Sequence, residues 1–251
     1  GDIFSPQPFT PNPSPLTPTD RQHATLERAT ELALSFLDSL DTAPVGATAS
    51  LDELRRRFVQ SLPDAGTDPV TVIEELARDA EGGLIGSAGG RFFGWVIGAG
   101  LPGALAADWL TATWDQNAGL YACSPVAAVV EEVTGTWLKE VLGLPATASF
   151  ALVTGCQMAH VTCLAAARHA VLERAGRDVN RDGLAGGPAI RIVTSSEVHG
   201  TTTRAAKLLG LGTANITVLP TDESARLTPA AFGAALAQEP DRPTIVVLQA
   251  G

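Results

Sequence analysis

An apolar run, Phe150-Ala-Leu-Val-Thr154, breaks at Gly155 and passes straight into Cys156-Gln-Met-Ala-His160 and a long stretch of helix formers ending near Arg174. A strand that turns on a glycine into a helix leaves the first N–H groups of that helix without partners, and the positive end of the helix dipole adds to them. Such a turn holds an anion without lysine or arginine, so the chemistry suggested by Gly155, Cys156 and Gln157 is capture of a phosphate. The spacing matches neither GxGxxG nor GxxxxGK[ST], which removes support for the usual dinucleotide and nucleoside-triphosphate readings and leaves a phosphate on a small cofactor. A plain tight turn between strand and helix would read the same way.

His199, in Ser195-Ser-Glu-Val-His199-Gly200, follows a second apolar run. An imidazole there can stack on a flat ligand, serve as acid or base, or bond to nearby backbone. Cys156, at a helix start, raises the question of a cysteine–histidine hydrolase with His199 or His160, but no orienting carboxylate or family signature accompanies the pair. His160 and Cys163 stand three apart on an apolar helix without further matched ligands, so packing accounts for them better than a metal. His23 and His169 read as solvated helix residues. Among the tryptophans, Trp95, beside Phe92 and Phe93, has the best claim to line a ligand cavity.

The elements that must position these residues alternate regularly in the second half of the chain. The order is strand 150–154, helix 156–174, strand 190–194, helix 200–209, strand 216–219, helix 228–237 and strand 244–249. The strands lack polar alternation, as expected of a parallel sheet covered by helices on both faces. Right-handed crossovers then bring Thr154, Ser195, Ser196 and Gln249 to one carboxyl edge, where open α/β sheets bind ligands. Ahead of this lies a helical part. Asp20 is a plausible N-cap for a helix with Leu26, Ala29, Ala33, Phe36, Leu37 and Leu40 on one stripe, and helices are expected at 51–62, 68–80, 105–114 and 125–142. Residues 1–19 hold six prolines and suit an extended leader.

Composition bounds the function. With 251 residues, 45% of them hydrophobic, the chain can bury a substantial core. A net charge of −10 and a pI near 4.8 oppose a nucleic-acid partner, whose affinity depends on clustered basic side chains. Three cysteines with no CxxC pair suggest a reduced, cytoplasmic setting. The weakly charged segment 92–107 contains Pro102 and four glycines, so it reads as buried backbone beside a site or interface rather than a membrane span.

Taken in order, several motifs resemble the pyridoxal-phosphate-dependent group II amino-acid decarboxylases, the family of the aromatic-amino-acid, glutamate and diaminobutyrate enzymes. They are Arg91-Phe-Phe-Gly-Trp-Val96, Ala107-Asp-Trp-Leu110, Ser124-Pro125 with Glu131-Glu132, Val153-Thr-Gly-Cys-Gln-Met-Ala159, Ala165-Ala-Ala-Arg168, Ser196-Glu-Val-His199, Leu208-Leu-Gly-Leu-Gly212 and Leu248-Gln-Ala-Gly251. The resemblance implies an α/β fold, the type I (aspartate-aminotransferase-like) fold of such transferases. Residues 1–19 would form the leader, 20–85 a helical dimerisation segment and 86–251 the first part of the large, mostly parallel-sheet domain.

The same resemblance implies pyridoxal 5'-phosphate as cofactor, with Gly155, Cys156 and Gln157 at its phosphate and His199 stacked on its ring as the catalytic histidine. It further implies Gln249 at a strand end facing the same cavity, and Phe92, Phe93 and Trp95 on the substrate side. No metal is implied. The activity implied is loss of the α-carboxylate of an L-amino acid as carbon dioxide through a quinonoid intermediate. Aldol cleavage, transamination, oxidative deamination and a non-catalytic binding role stand as alternatives.

That chemistry also needs a lysine and a ring-nitrogen aspartate, which the family carries beyond the Leu-Gln-Ala-Gly strand. Lys139 and Lys207, the two lysines of the chain, lie in contexts that do not match the lysine motif. The expectation is therefore a complementary C-terminal polypeptide supplying both groups, in a dimer of such units. A longer chain containing residues 1–251 would meet the same need.

Overall fold

The computed structural model describes residues 17–249, which divide into two compact units at Gln116 and Asn117. The boundary at residues 85 and 86 read from the sequence falls inside the first unit. The leader lies largely outside the described residues, as do Ala250 and Gly251.

In the first unit, helix α1 (Pro18–Ser39) begins at a capping box. Thr17 is the N-cap, its hydroxyl accepts the Asp20 N–H at 3.1 Å, and the Asp20 carboxylate accepts the Thr17 N–H at 3.1 Å. Asp20 is thus the third helical residue and not the cap, because Pro18 fits the first helical position and moves the start forward. Helix α2 (Leu51–Phe58) repeats the device with Ser50 and Glu53. It stops at Phe58, short of residue 62, where Val59 turns extended. Asp68 caps α3 (Pro69–Ala80), accepting from the N–H groups of Val70 and Thr71. Helix α1 packs on α3, and Arg28 bridges Glu31 on its own helix to Glu74 on α3.

The glycine-rich segment 81–101 laces back onto the α1–α2 connection. The Gly82 carbonyl accepts the N–H groups of Thr48 and Ala49, both at 2.8 Å, and Arg91 donates to the carbonyls of Leu40 and Ala43. Helix α4 (Pro102–Trp114) follows and ends at a left-handed Asp115. No described residue of α1 to α4 is buried.

The second unit starts with α5 (Pro125–Val141), capped by the buried Ser124. Next come α6 (Cys156–Arg174), the short α7 (Val179–Asp182), β1 (Arg191–Ser195), α8 (Gly200–Leu208), β2 (Ile216–Leu219), α9 (Pro229–Gln238) and β3 (Thr244–Val246). The three strands form a parallel sheet ordered β2-β1-β3, with Ile192 level with Ile216 on one side and Ile245 on the other. All of β1 is buried. Leu164 and Leu172 of α6, Ala205 and Ala206 of α8, Ile192 and Ile245 form the core. Toward α9, the Arg191 guanidinium donates to the carbonyl of Ala235 and to Glu239.

Two expectations need correction. Residues 150–154 form no strand, since among the described residues no neighbour offers a ladder to their backbone. Strand β3 ends at Val246 and not at 249, because its register with β1 closes at Val193. Composition identified an apolar extended segment in each case, but a strand is completed by its partner. Among the described residues no helix is long and apolar enough to cross a membrane.

Candidate functional site

Helix α6 begins on Gly155, whose φ of 85° and ψ of 172° lie in a region essentially reserved for glycine. No side chain caps this helix. The Gly155 carbonyl accepts the N–H groups of Met158 and Ala159, while those of Cys156 and Gln157 find no acceptor among the described residues. A Cβ built at Gly155 would meet nothing within 4 Å, and Cys156 after it is exposed, so the turn lies at the surface of its unit. Unpaired donors, a dipole end and room in front of them are what an anion requires.

Helix α8 packs against α6 and brings the second half of the site. His199 is its N-cap: the side-chain Nδ1 accepts the N–H of Thr201 at 3.3 Å. The Thr201 hydroxyl lies 2.8 Å from Nδ1 of His199 and also 2.8 Å from Nδ1 of His160 on α6. Gln157 is fixed between the helices, its amide N–H donating to the Thr201 carbonyl at 3.3 Å and its oxygen accepting from Arg204 at 3.4 Å. Cys156 Sγ sits 3.8 Å from His160 Nδ1, but the close partner of that imidazole is a hydroxyl and not a carboxylate. This does not supply the orienting group of a thiol hydrolase.

At the carboxyl end of β1, Ser195 donates to Gln249 Oε1 at 2.6 Å, and Ser196 meets the Thr221 hydroxyl at 3.1 Å. The structure thus links Gly155, Cys156 and Gln157 with His199, and separately ties Gln249 to the strand that leads to His199. Phe92, Phe93 and Trp95 belong to the first unit. Phe93 and Trp95 are almost fully exposed, and Trp95, Val96 and Ala99 all hold positive φ.

Thr201 was not singled out from the sequence, and His160 entered only as a thiol or metal partner. The sequence offered only a partial signal: position 160 is one helical turn after Cys156 and so shares its face of the helix, but histidine is not among the preferred N-cap residues and nothing local joins position 160 to position 201. His169 is half-buried with its Nδ1 enclosed and unpaired, not solvated as its sequence context suggested. The Lys139 ammonium is engaged by the carbonyls of Ala146 and Ala148 and lies over the Phe150 ring; exposed Lys207 stands in the last turn of α8, away from His199.

The family profile described as "Pyridoxal-dependent decarboxylase conserved domain" matches residues 53–251. The aromatic-L-amino-acid decarboxylase of Bacillus atrophaeus is 28% identical over 205 residues, which is 82% of this chain and 40% of that enzyme. The glutamate decarboxylase of Drosophila melanogaster is 30% identical over 125 residues, 49% of this chain and 24% of that one. Mouse CSAD superposes with a TM-score of 0.81 at 22% identity, covering 93% of this chain and 48% of its own. Oryza sativa TDC, solved with PLP and tryptamine, gives 0.80 at 24% identity, with 93% and 49% covered. The chain spans about two-fifths to half of the length of the Bacillus, mouse and rice proteins that it matches. The structural likenesses establish the type I fold, here the helical N-terminal segment and the start of the large domain. With its profile matched across more than half of the chain, this protein belongs to the pyridoxal-dependent decarboxylases, a family whose cofactor is pyridoxal phosphate.

Proposed function

We propose that this chain forms the phosphate-binding half of an amino-acid decarboxylase that releases the α-carboxylate of an L-amino acid as carbon dioxide. The observation that carries the reading is the turn at Gly155: two N–H groups without an acceptor at a helix start whose first residue, Cys156, is exposed, in a hydrogen-bonded cluster that ends on His199. The donor set fits the phosphate end of pyridoxal phosphate. The N–H groups of Cys156 and Gln157 would take the phosphoryl oxygens, and the dipole of α6 would favour their charge. Gln157, held by Thr201 and Arg204, keeps that first turn in place. His199 would lie against the heterocycle, and Gln249, held by Ser195, would line the same cavity. When bound, the cofactor supplies an electron sink for the pair left by the departing carboxylate.

The lysine that anchors the cofactor and the aspartate at its ring nitrogen would come from a complementary C-terminal polypeptide segment, since the Lys139 ammonium is bound to two carbonyls and Lys207 sits at the far end of α8. Residues 20–85 would serve as the dimerisation segment and 86–251 as the first part of the cofactor domain. Support comes from the exposure of Leu34, Leu76, Trp109 and Trp114, apolar surface of the kind a partner covers. Phe92, Phe93 and Trp95 would face substrate. The free thiols of Cys123, Cys156 and Cys163 suit a cytoplasmic setting.

The test is borohydride reduction of the protein as isolated with pyridoxal phosphate, followed by peptide mapping and by carbon dioxide release from a panel of L-amino acids. The label should appear on a lysine outside residues 1–251, with carbon dioxide released and no keto acid formed. A label on Lys139 or Lys207, or keto acid without carbon dioxide, would overturn the assignment.

A further inference from the structure

The hydroxyl of Thr201 has one proton to give, and two imidazole nitrogens stand 2.8 Å from its oxygen. His199 Nδ1 already accepts the Thr201 N–H, so that nitrogen carries a lone pair and no proton. At 2.8 Å two lone pairs would repel, so the Thr201 hydroxyl proton must point to His199 Nδ1. The hydroxyl then has only acceptor capacity for His160, whose Nδ1 must be the protonated nitrogen. The direction of every proton in the chain follows from the one backbone contact.

We propose that His160 and Thr201 are positioning residues for His199: the relay His160 Nδ1–H to Thr201 Oγ1–H to His199 Nδ1 fixes the His199 ring in its Nε2–H form and sets its plane. Two features suit the relay to this task. Thr201 is 9% exposed, so water competes weakly for its hydroxyl, whereas His199 is exposed and free to offer a face and its Nε2–H to a ligand. The two ends of the relay also sit on different helices, so α6, which carries the Gly155 turn, and α8, which carries His199, are locked by one hydrogen-bond chain. The importance of this relay to catalysis rests on the reading of His199 as the residue against the cofactor ring; the relay itself does not.

The experiment uses the protein as isolated, labelled with ¹⁵N-histidine and stripped of cofactor. Long-range proton–nitrogen correlation reads each tautomer, and this chain contributes four histidines. His160 should show the Nδ1–H form, which a free imidazole disfavours, and His199 the Nε2–H form. Thr201→Val should return His160 to the Nε2–H form, and Thr201→Ser should preserve both patterns. His160→Asn, which keeps an N–H donor toward Thr201, should leave His199 unchanged, whereas His160→Phe should broaden or split its signals. A wild-type His160 protonated at Nε2, or a Thr201→Val protein with both tautomers intact, would overturn the proposal.

Titration with pyridoxal phosphate then separates the two readings. Thr201→Val should weaken binding about five- to tenfold, the loss of roughly one hydrogen bond, and Thr201→Ser should restore it. A wild-type protein with the relay tautomers but no affinity for pyridoxal phosphate would uphold the relay and overturn the proposed function.

Discussion

Ser195 donates its hydroxyl to Gln249 Oε1 across 2.6 Å, and the same hydroxyl oxygen accepts the Glu197 N–H at 3.3 Å. One residue at the end of β1 thus holds both the turn that leads to His199 and the chain that leaves β3. Ser195→Ala should lower stability by about 1 kcal/mol, a typical net hydrogen bond, and should speed hydrogen exchange at the Glu197 amide. An unchanged Glu197 exchange rate would show that the turn is held by other contacts.

Gly155→Ala isolates the backbone requirement of the turn, because the added methyl group meets no atom within 4 Å. Its cost is conformational, about 1–3 kcal/mol for a side-chain-bearing residue at φ 85° and ψ 172°. The start of α6 should relax by turning the Cys156 and Gln157 N–H groups away. The affinity for pyridoxal phosphate should then fall at least about tenfold, measured by titration, while thermal denaturation shows a cooperative fold. Wild-type affinity in Gly155→Ala would mean that the amides of this turn do not hold the phosphate.

Most of the scaffold was legible in the sequence, and all but one of the exceptions named below share a cause. Helix α6 and strand β2 match their expected spans because glycine breaks and apolar runs are local signals. The Gly155 turn was likewise visible, since a glycine between an apolar run and a helix admits few geometries. Residues 150–154 were misread because pairing is a property of two segments, and a single sequence shows only one of them. The role of Thr201 was invisible for the same reason: its partners His160 and His199 lie on different helices, and nothing in the spacing from 160 to 201 signals that they meet. The displaced start of α1 is different, since Thr17, Pro18 and Asp20 together spelled a capping box that a reading of Asp20 alone overlooked.

Gly135 is the buried residue of α5, and a Cβ at this position would fall on the Phe150 ring. Alanine is otherwise the better helix former by about 1 kcal/mol, so the sign of Gly135→Ala tests which effect wins. Overpacking costs about 1–3 kcal/mol, and the displaced ring belongs to the segment that runs into Gly155. A net destabilisation of up to about 2 kcal/mol is expected in chemical denaturation, and trimming the ring with Phe150→Leu in the Gly135→Ala background should recover part of it. Stabilisation by Gly135→Ala alone would remove the contact from the account.

Arg191 is the charged residue buried deepest in the sheet, at 2% exposure, with its guanidinium donating to the carbonyl of Ala235, the hydroxyl of Thr244 and the carboxylate of Glu239. Glu239 is 44% exposed and is shared with Arg242, so its charge is partly screened. Arg191→Ala should destabilise by about 3 kcal/mol or more, because the polar atoms facing it lose their partner and a cavity opens beside β3. Glu239→Gln keeps an acceptor in place and should cost no more than about 1 kcal/mol. Equal losses from the two substitutions in urea denaturation would show that the ion pair, and not the carbonyl and hydroxyl bonds, holds the guanidinium.

The capping boxes of the first unit predict a dependence on acidity. Hydrogen bonds from the Thr17 hydroxyl and N–H hold the Asp20 carboxyl below the usual aspartate range, and the Ser50 N–H and hydroxyl do the same for Glu53. A folded-state pKa below the unfolded one means that each box contributes fully above the ordinary carboxylate range and fades as pH falls through the lowered value. The first turns of α1 and α2 should therefore fray below about pH 4, seen as faster hydrogen exchange at the amides of Asp20 and Glu53. Thr17→Ala and Ser50→Ala should bring the same exchange at neutral pH and remove most of its pH dependence in the affected helix. Amides that stay equally protected from neutral pH down to pH 3 would show that neither carboxylate holds its helix start.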